Sequence, residues 1–249
     1  MSIILKSAAE IASMRQAGKA TAAVLKALVK EIRAGMRTDE LDHIAAAEVK
    51  KQGAVSSFKG YRGFPGHLCV SVNDEIVHGI PGAKVLKEGD LVSLDFGAYL
   101  NGFHADAAVT VGLGEITRPA RKLLESTRKA LEAGVAAARE GVRLGDVSAA
   151  IQTSAEEDGL SVVREYSGHG IGRNLHEDPQ VPNFGLPGQG PVLQKGMALA
   201  LEPMLNLGTW KTKPGADGWV VRSADGSLSA HFEHTIAING GSAQVLTVE

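Results

Sequence analysis

Leu91–Val111, reading LVSLDFGAYLNGFHADAAVTV, decides how this chain is to be folded. Asn101-Gly102 inside it predicts a two-residue type I′ hairpin turn, because both central residues of that turn take positive φ. With the turn there, Leu100 faces Phe103 and paired residue numbers sum to 203, so Asp106 lies opposite Gly97. Asp95 is two places along the same strand, and side-chain alternation puts it on the face of Asp106. Their neighbours are apolar or small, and no Lys or Arg lies in the stretch. Two carboxylates facing each other in such surroundings repel and lose hydration, so they call for a positive counterpart. A divalent metal is the economical one. A half-exposed hairpin carrying two solvated acids is the plain alternative on this stretch alone.

Upstream of the hairpin, Ser7 and Glu10 make a capping box that opens a helix running to about Arg33, with Gly35 beyond it. A second helix is expected from about Thr38 to Gly53, with Asp39 and Glu40 in its first turn. Residues 54–81 read as loops and short strands. Downstream, Thr117 and Pro119 open a third helix ending near Gly141, and a fourth spans about Asp146 to Gly159. Residues 166–191 carry enough Gly, Pro, His and Asn to read as loop and turn. Strands are then expected at Met197–Glu202, Trp219–Arg222 and Ser229–Ile238.

The two helix pairs are copies of one pattern. Gly35-Met36-Arg37 recurs as Gly141-Val142-Arg143, 106 residues on, and Gly53 maps onto Gly159. Val85-Leu86-Lys87-Glu88-Gly89 recurs as Val192-Leu193-Gln194-Lys195-Gly196, 107 residues on. Continuing that register, Asp95 lands on Glu202. Helix pairs alternating with hairpins predict an α+β fold with helices outside antiparallel sheet, as one domain over 1–249 with halves at about 7–114 and 117–249.

In the second half, Glu202 ends an apolar strand before Pro203, which cannot donate to a ladder. In the strand Ala230–Ile236, alternation puts His231, Glu233 and Thr235 on one face, and Glu233 takes the part of Asp106. Asp95, Asp106, Glu202 and Glu233 bring four negative charges toward the interface between the halves. Two divalent cations cancel four charges, whereas one leaves strong repulsion. Metals bridged at roughly 3.5–4 Å hydrolyse acyl or phosphoryl bonds. The imidazole ligand is expected from Gly168-His169-Gly170-Ile171-Gly172, where glycines allow close backbone approach. His176, seven residues on, joins the same site only if the loop folds back. His78, in Val77-His78-Gly79, has similar company, while His43 and His67 read as structural.

At 249 residues and 44% hydrophobic the chain can bury a large core, and a net charge of −2 points to neither nucleic acid nor an anionic membrane. A single cysteine, Cys69, excludes an intrachain disulfide framework and fits a reducing compartment. Ile3-Ile4-Leu5 is too short for a signal-peptide core, and no window approaches a membrane span. A cytoplasmic protein is expected.

The run Gly168–Pro179, the stretch Leu201-Glu202-Pro203-Met204 and Phe232-Glu233-His234-Thr235 together resemble the type I methionine aminopeptidases of the pita-bread fold, in their short bacterial form. The resemblance covers nearly the whole chain and implies five metal ligands, Asp95, Asp106, His169, Glu202 and Glu233, around two divalent ions (Co, Mn, Fe or Zn). It implies that Asp106 and Glu233 bridge the pair, Asp95 chelates one ion, and His169 with Glu202 completes the other. A bridging hydroxide would attack the first peptide bond, removing the initiator methionine of nascent chains whose second residue is small. His176 would donate to the carbonyl oxygen as it gains charge, and His78 would contact the scissile amide. Glu202 would carry the proton to the leaving amine. Matching positions give Phe58, Tyr61, Phe64, Cys69, Leu175 and Trp219 as the methionine pocket. Three positions depart from the family's habit: Phe64 where Tyr is frequent, Leu175 where Phe is common, and His231 where Gln is usual.

A proline-specific aminopeptidase or prolidase is the alternative enzyme within that fold, although such relatives usually carry an extra N-terminal domain. A non-catalytic partner-binding protein is the alternative of another class, and it would be expected to lose carboxylates that are all present here. As partner, the N-terminal Met of nascent polypeptides is expected, with a monomeric enzyme. Arg118, Arg121, Lys122, Arg128 and Lys129 form a basic cluster that reads either as a ribosome-docking surface or as an ordinary solvated helix face.

Overall fold

The computed structural model describes residues 2–248; Met1 and Glu249, the ends of the expected 1–249 domain, lie outside them. Helix α1 (Ala8–Glu31) starts at the Ser7–Glu10 capping box, the Ser7 backbone N–H donating to Glu10 Oε2 at 2.9 Å. Helix α2 covers Thr38–Lys51, α3 covers Arg118–Ala137 behind a Thr117 cap, and α4 covers Leu144–Glu157.

Nine strands form the main sheet: β1 (Val55–Ser56), β2 (Cys69–Val72), β3 (Leu91–Leu100), β4 (Phe103–Gly112), β5 (Ser167–Gly170), β6 (Glu177–Pro182), β7 (Ala198–Leu201), β8 (Glu233–Ile238) and β9 (Ala243–Val245). Their order is β1-β3-β4-β8-β7-β5-β6, with β2 also on β3 and β9 also on β8. The β3–β4 hairpin has the register expected of it, Leu100 opposite Phe103 and Gly97 opposite Asp106. Asn101 and Gly102 take φ of 53° and 85°, as a type I′ turn requires.

The internal copy is visible in the backbone. Gly35 N–H donates to Leu86 O and Leu86 N–H to Met36 O; the same pair recurs as Gly141 to Leu193 O and Leu193 to Val142 O. Isolated bridges join Arg37 to Val85 and Arg143 to Val192. Strands β4 and β8 meet across the two halves, Glu233 opposite Ala108.

Leu94 and Phe96, on either side of Asp95, lie in one core with Val24 and Leu28 of α1 and Leu41 of α2. Leu199 and Leu201 of β7 share another with Leu123 and Leu131 of α3 and Ile151 of α4. Helices therefore cover the sheet face opposite Asp95, which leaves the carboxylate face free to form a site.

Two sequence expectations change. Residues 166–191 contain β5 and β6 as a hairpin, because pairing with β7 recruits a Gly-rich segment of weak strand propensity. Ser229–Ile238 is two strands broken at Phe232. Ser229–His231 pairs with Met204–Asn206 in a separate three-stranded sheet, while β8 joins β4 and β7. Pro203 has no N–H to carry the ladder across the gap, and its carbonyl accepts from Phe232 N–H at 3.3 Å instead.

Candidate active site

Fourteen side chains line one pocket: Phe58, Tyr61, Arg62, Phe64, Cys69, His78, Asp95, Asp106, His169, Leu175, His176, Glu202, Trp219 and Glu233. All thirteen residues named from sequence as ligands, catalytic groups or pocket wall are among them, and Arg62 is the addition.

The acidic floor is built from strands of both halves. Asp95 and Asp106 come from the β3–β4 hairpin, Glu233 from the start of β8, and Glu202 directly follows β7. Thr235 clasps the junction: Asp106 N–H donates to its hydroxyl oxygen, and that hydroxyl donates to Asp106 O, both at 2.8 Å. Asn183 holds the other side, its amide donating to Glu202 O at 3.0 Å. Neither role was legible in sequence, since each is a tertiary contact of a common polar residue.

His169 stands on β5 between β6 and β7. Its Nδ1 lies 2.9 Å from Gly170 O, and a carbonyl can only accept, so Nδ1 carries the proton. The Nε2 lone pair is thereby free, 3.6 Å from Glu202 Oε1. Glycine is required on either side: a Cβ at Gly168 would come within 2.2 Å of Ala200 O, and one at Gly170 within 2.2 Å of Asp178 O.

The loop after β5 does fold back, putting the His176 ring 4.1 Å from the His169 ring. Tyr61 stacks on His176 at 5.3 Å, with its Oη 2.9 Å from His176 Nδ1. With the phenol donating to Nδ1, the proton of the neutral ring resides on Nε2. His78 has φ 61° and meets Tyr166 edge-on at 6.0 Å. The adjoining Gly79 is pressed against Val70 O, which a Cβ would approach to 2.1 Å.

The apolar wall follows from the same strands. Cys69 of β2 pairs with Asp95 of β3, so the thiol is brought to the pocket by register. Burial first, then the nearby Asp95 carboxylate, pushes that thiol well up, which keeps it protonated and inert. Phe64 and Trp219 pack edge to face at 5.1 Å. His231 is 2% exposed and 3.8 Å from Glu233 Oε2, with no hydrogen-bond partner on either ring nitrogen among the described residues.

Charge dominates the floor. Burial, followed by mutual repulsion, holds Asp95, Glu202 and Glu233 well above the usual carboxylate range. Burial raises Asp106 to about 7. Burial also depresses His169 to about 4, and burial with the neighbouring His169 depresses His176 to about 3. Asp95 Oδ1, Asp106 Oδ1 and Glu233 Oε1 are buried without a hydrogen-bond partner among the described residues. Asp106, His169 and Glu233 each present a ligand atom within 4.8 Å of the others. Orphaned buried carboxylate oxygens beside an imidazole lone pair fit a divalent cation of the Mn, Fe, Co or Zn kind.

The profile of metallopeptidase family M24 matches residues 12–240. Methionine aminopeptidase 1 of Bacillus subtilis is 52% identical over 245 residues, covering 98% of this chain and 99% of that protein. The chain belongs to the methionine aminopeptidases of family M24. The crystal structure of the methionine aminopeptidase from Thermotoga maritima superposes with a TM-score of 0.98 at 46% identity, covering 100% of both chains. The prolidase from Pyrococcus furiosus, at 23% identity and a TM-score of 0.80, shares the pita-bread fold, with this chain matching 66% of its length. This aminopeptidase is therefore a metal-dependent hydrolase of type I. No helix among its described residues is long and apolar enough to cross a membrane.

Proposed function

We propose that the pocket removes the N-terminal methionine of proteins whose second residue is small, using two divalent ions of Co, Mn, Fe or Zn. Asp95, Asp106, His169, Glu202 and Glu233 would hold them. Bound there, divalent metal makes water acidic enough to supply hydroxide near neutral pH and polarises the carbonyl. The single observation carrying this reading is the convergence of four carboxylates, Asp106 and Glu233 of them buried, and buried His169 at the floor of one pocket.

Phe58, Tyr61, Phe64, Cys69, Leu175 and Trp219 take the methionine side chain, since apolar and aromatic walls suit a flexible thioether. Nε2–H of His176 donates to the carbonyl oxygen as negative charge develops on it. His78, held rigidly beside Gly79, positions the scissile amide. Glu202, on the same floor, passes a proton to the leaving amine. We read the chain as a single catalytic domain acting as a monomer in the cytoplasm, where nascent chains are its substrates. The basic face of α3, with Arg118, Arg121, Lys122, Arg128 and Lys129, is a candidate ribosome contact.

The test is methionine release from Met-Ala and Met-Leu peptides after chelation and after adding back Mn or Co. Metal-dependent release from Met-Ala, with Met-Leu much slower, is expected. Equal rates on both peptides, or turnover indifferent to metal, would overturn the assignment.

A further inference from the structure

Arg62 is the one lining residue given no task by the metal floor, the methionine wall or the His78 and His176 pair at the scissile bond. It is the only Lys or Arg lining the pocket, and it is exposed at the mouth. Its backbone is left-handed, φ 49°, in a turn between Gly60 (φ 83°) and Gly63 (φ 90°). Gly63 N–H donates to Gly60 O at 3.1 Å, and Gly60 N–H to Phe64 O at 2.9 Å, so the turn is closed at both ends. A non-glycine side chain in that conformation is uncommon, and such outliers cluster at ligand clamps. The turn holds the guanidinium carbon 5.4 Å from the centre of the Tyr61 ring. Tyr61 in turn stacks on His176. A continuous stack thus runs from the His176 ring inside the pocket to a cation outside it. No ion pair to Arg62 forms among the described residues.

A chain threaded by its N-terminus must leave through this mouth. Two or three extended residues past the scissile bond reach about 7–10 Å further out. We infer that Arg62 is a specificity-determining residue that reads charge on the substrate's third and fourth residues, favouring Asp or Glu over Lys or Arg. This rests on the aminopeptidase reading above and adds to it a preference beyond the second residue. An exposed guanidinium acting through a partly screened field supports only a modest bias, about two- to fivefold per charge in kcat/KM. The plainer role, a cation merely capping the Tyr61 ring, gives no dependence on substrate charge.

The test uses the metal-loaded enzyme with Met-Ala-Asp-Gly, Met-Ala-Ser-Gly and Met-Ala-Lys-Gly, plus the set with the charge moved to the fourth residue. Wild type should rank Asp above Ser above Lys at low salt, with the spread collapsing at high salt. Arg62→Gln should flatten the ranking and Arg62→Glu should reverse it. Ratios between peptides are the readout, so any loss common to all three drops out. A flat wild-type ranking, or a ranking retained in Arg62→Gln, overturns the inference while leaving the aminopeptidase reading intact. Release from none of the peptides would bring down both.

Discussion

Lys6 and Glu177 form a buried ion pair between residues 171 positions apart, Nζ to Oε2 at 2.7 Å, with side chains 3% and 4% exposed. Lys6 Nζ also donates to Ile4 O at 3.0 Å, and Glu177 Oε1 accepts from Asn174 N–H at 3.1 Å. A Cβ on Gly172 would strike both side chains. The segment ahead of α1 thus pins the loop that carries Leu175 and His176. Removing one partner of a buried pair leaves the other charge unpaired, at a cost of about 3–5 kcal/mol. Lys6→Met should lower stability by that amount and reduce turnover, whereas Lys6→Met with Glu177→Leu should recover most of the stability. Urea denaturation of the four proteins of this cycle checks it, and additive losses would mean the pair is not coupled.

Metal-free stability should depend on pH in an unusual direction. Asp106 holds its proton up to about 7 in the folded chain, against about 3.9 for an unperturbed aspartate. Asp95, Glu202 and Glu233 are raised as well. The native state then binds more protons than the unfolded one, and stability falls as pH rises through the raised values. The histidines act oppositely. Depressed to about 4 in His169 and about 3 in His176 and His231, they add stability as pH rises to about 6.5 and nothing beyond it. Melting temperature of the chelated enzyme should therefore fall between about pH 6.5 and 8.5, and Mn should abolish the fall by taking the protons' place. A rising melting temperature in that window would contradict the convergence of the four carboxylates.

Truncating His176 separates donation from orientation. His176→Ala removes the donor to the developing oxyanion, and about 10²–10³ in kcat should go with it. Tyr61→Phe keeps the stacked ring and deletes only the phenol that bonds to Nδ1, so a loss of about three- to tenfold is expected, one hydrogen bond's worth. Steady-state kcat with Met-Ala-Ser decides; a Tyr61→Phe loss equal to that of His176→Ala would show that the phenol itself does the donating.

Gly168 allows β5 to lie against β7. A methyl there would sit 2.2 Å from Ala200 O and 3.2 Å from Val181 Cβ, so Gly168→Ala must push His169 away from the carboxylates. Overpacking of this kind costs about 1–3 kcal/mol. The expected result is reduced bound metal after dialysis together with the stability loss. Gly82→Ala, where a Cβ meets nothing within 4 Å, is the control and should bind metal as wild type does.

Much of this was legible in the chain because it depends on neighbours in sequence. The Asn101-Gly102 turn, the Ser7–Glu10 capping box and the glycines at 35, 53, 141 and 159 are local requirements on φ or on one orphan N–H. The hairpin register followed from the turn by counting. The repeat carried that arithmetic into the second half and set Glu202 against Asp95.

What the residues by themselves determined, then, was the helices, the hairpin and the set of chemistry-bearing side chains, since propensity, capping and alternation act over a few positions. Tertiary structure decided the break at Phe232, the recruitment of Gly168–Gly170 into the sheet, the Thr235 clasp, the Lys6–Glu177 pair and the placement of Arg62 at the mouth. Those depend on which distant strand supplies a hydrogen bond and which buried charge needs a partner. Both are settled only when the two halves close on each other.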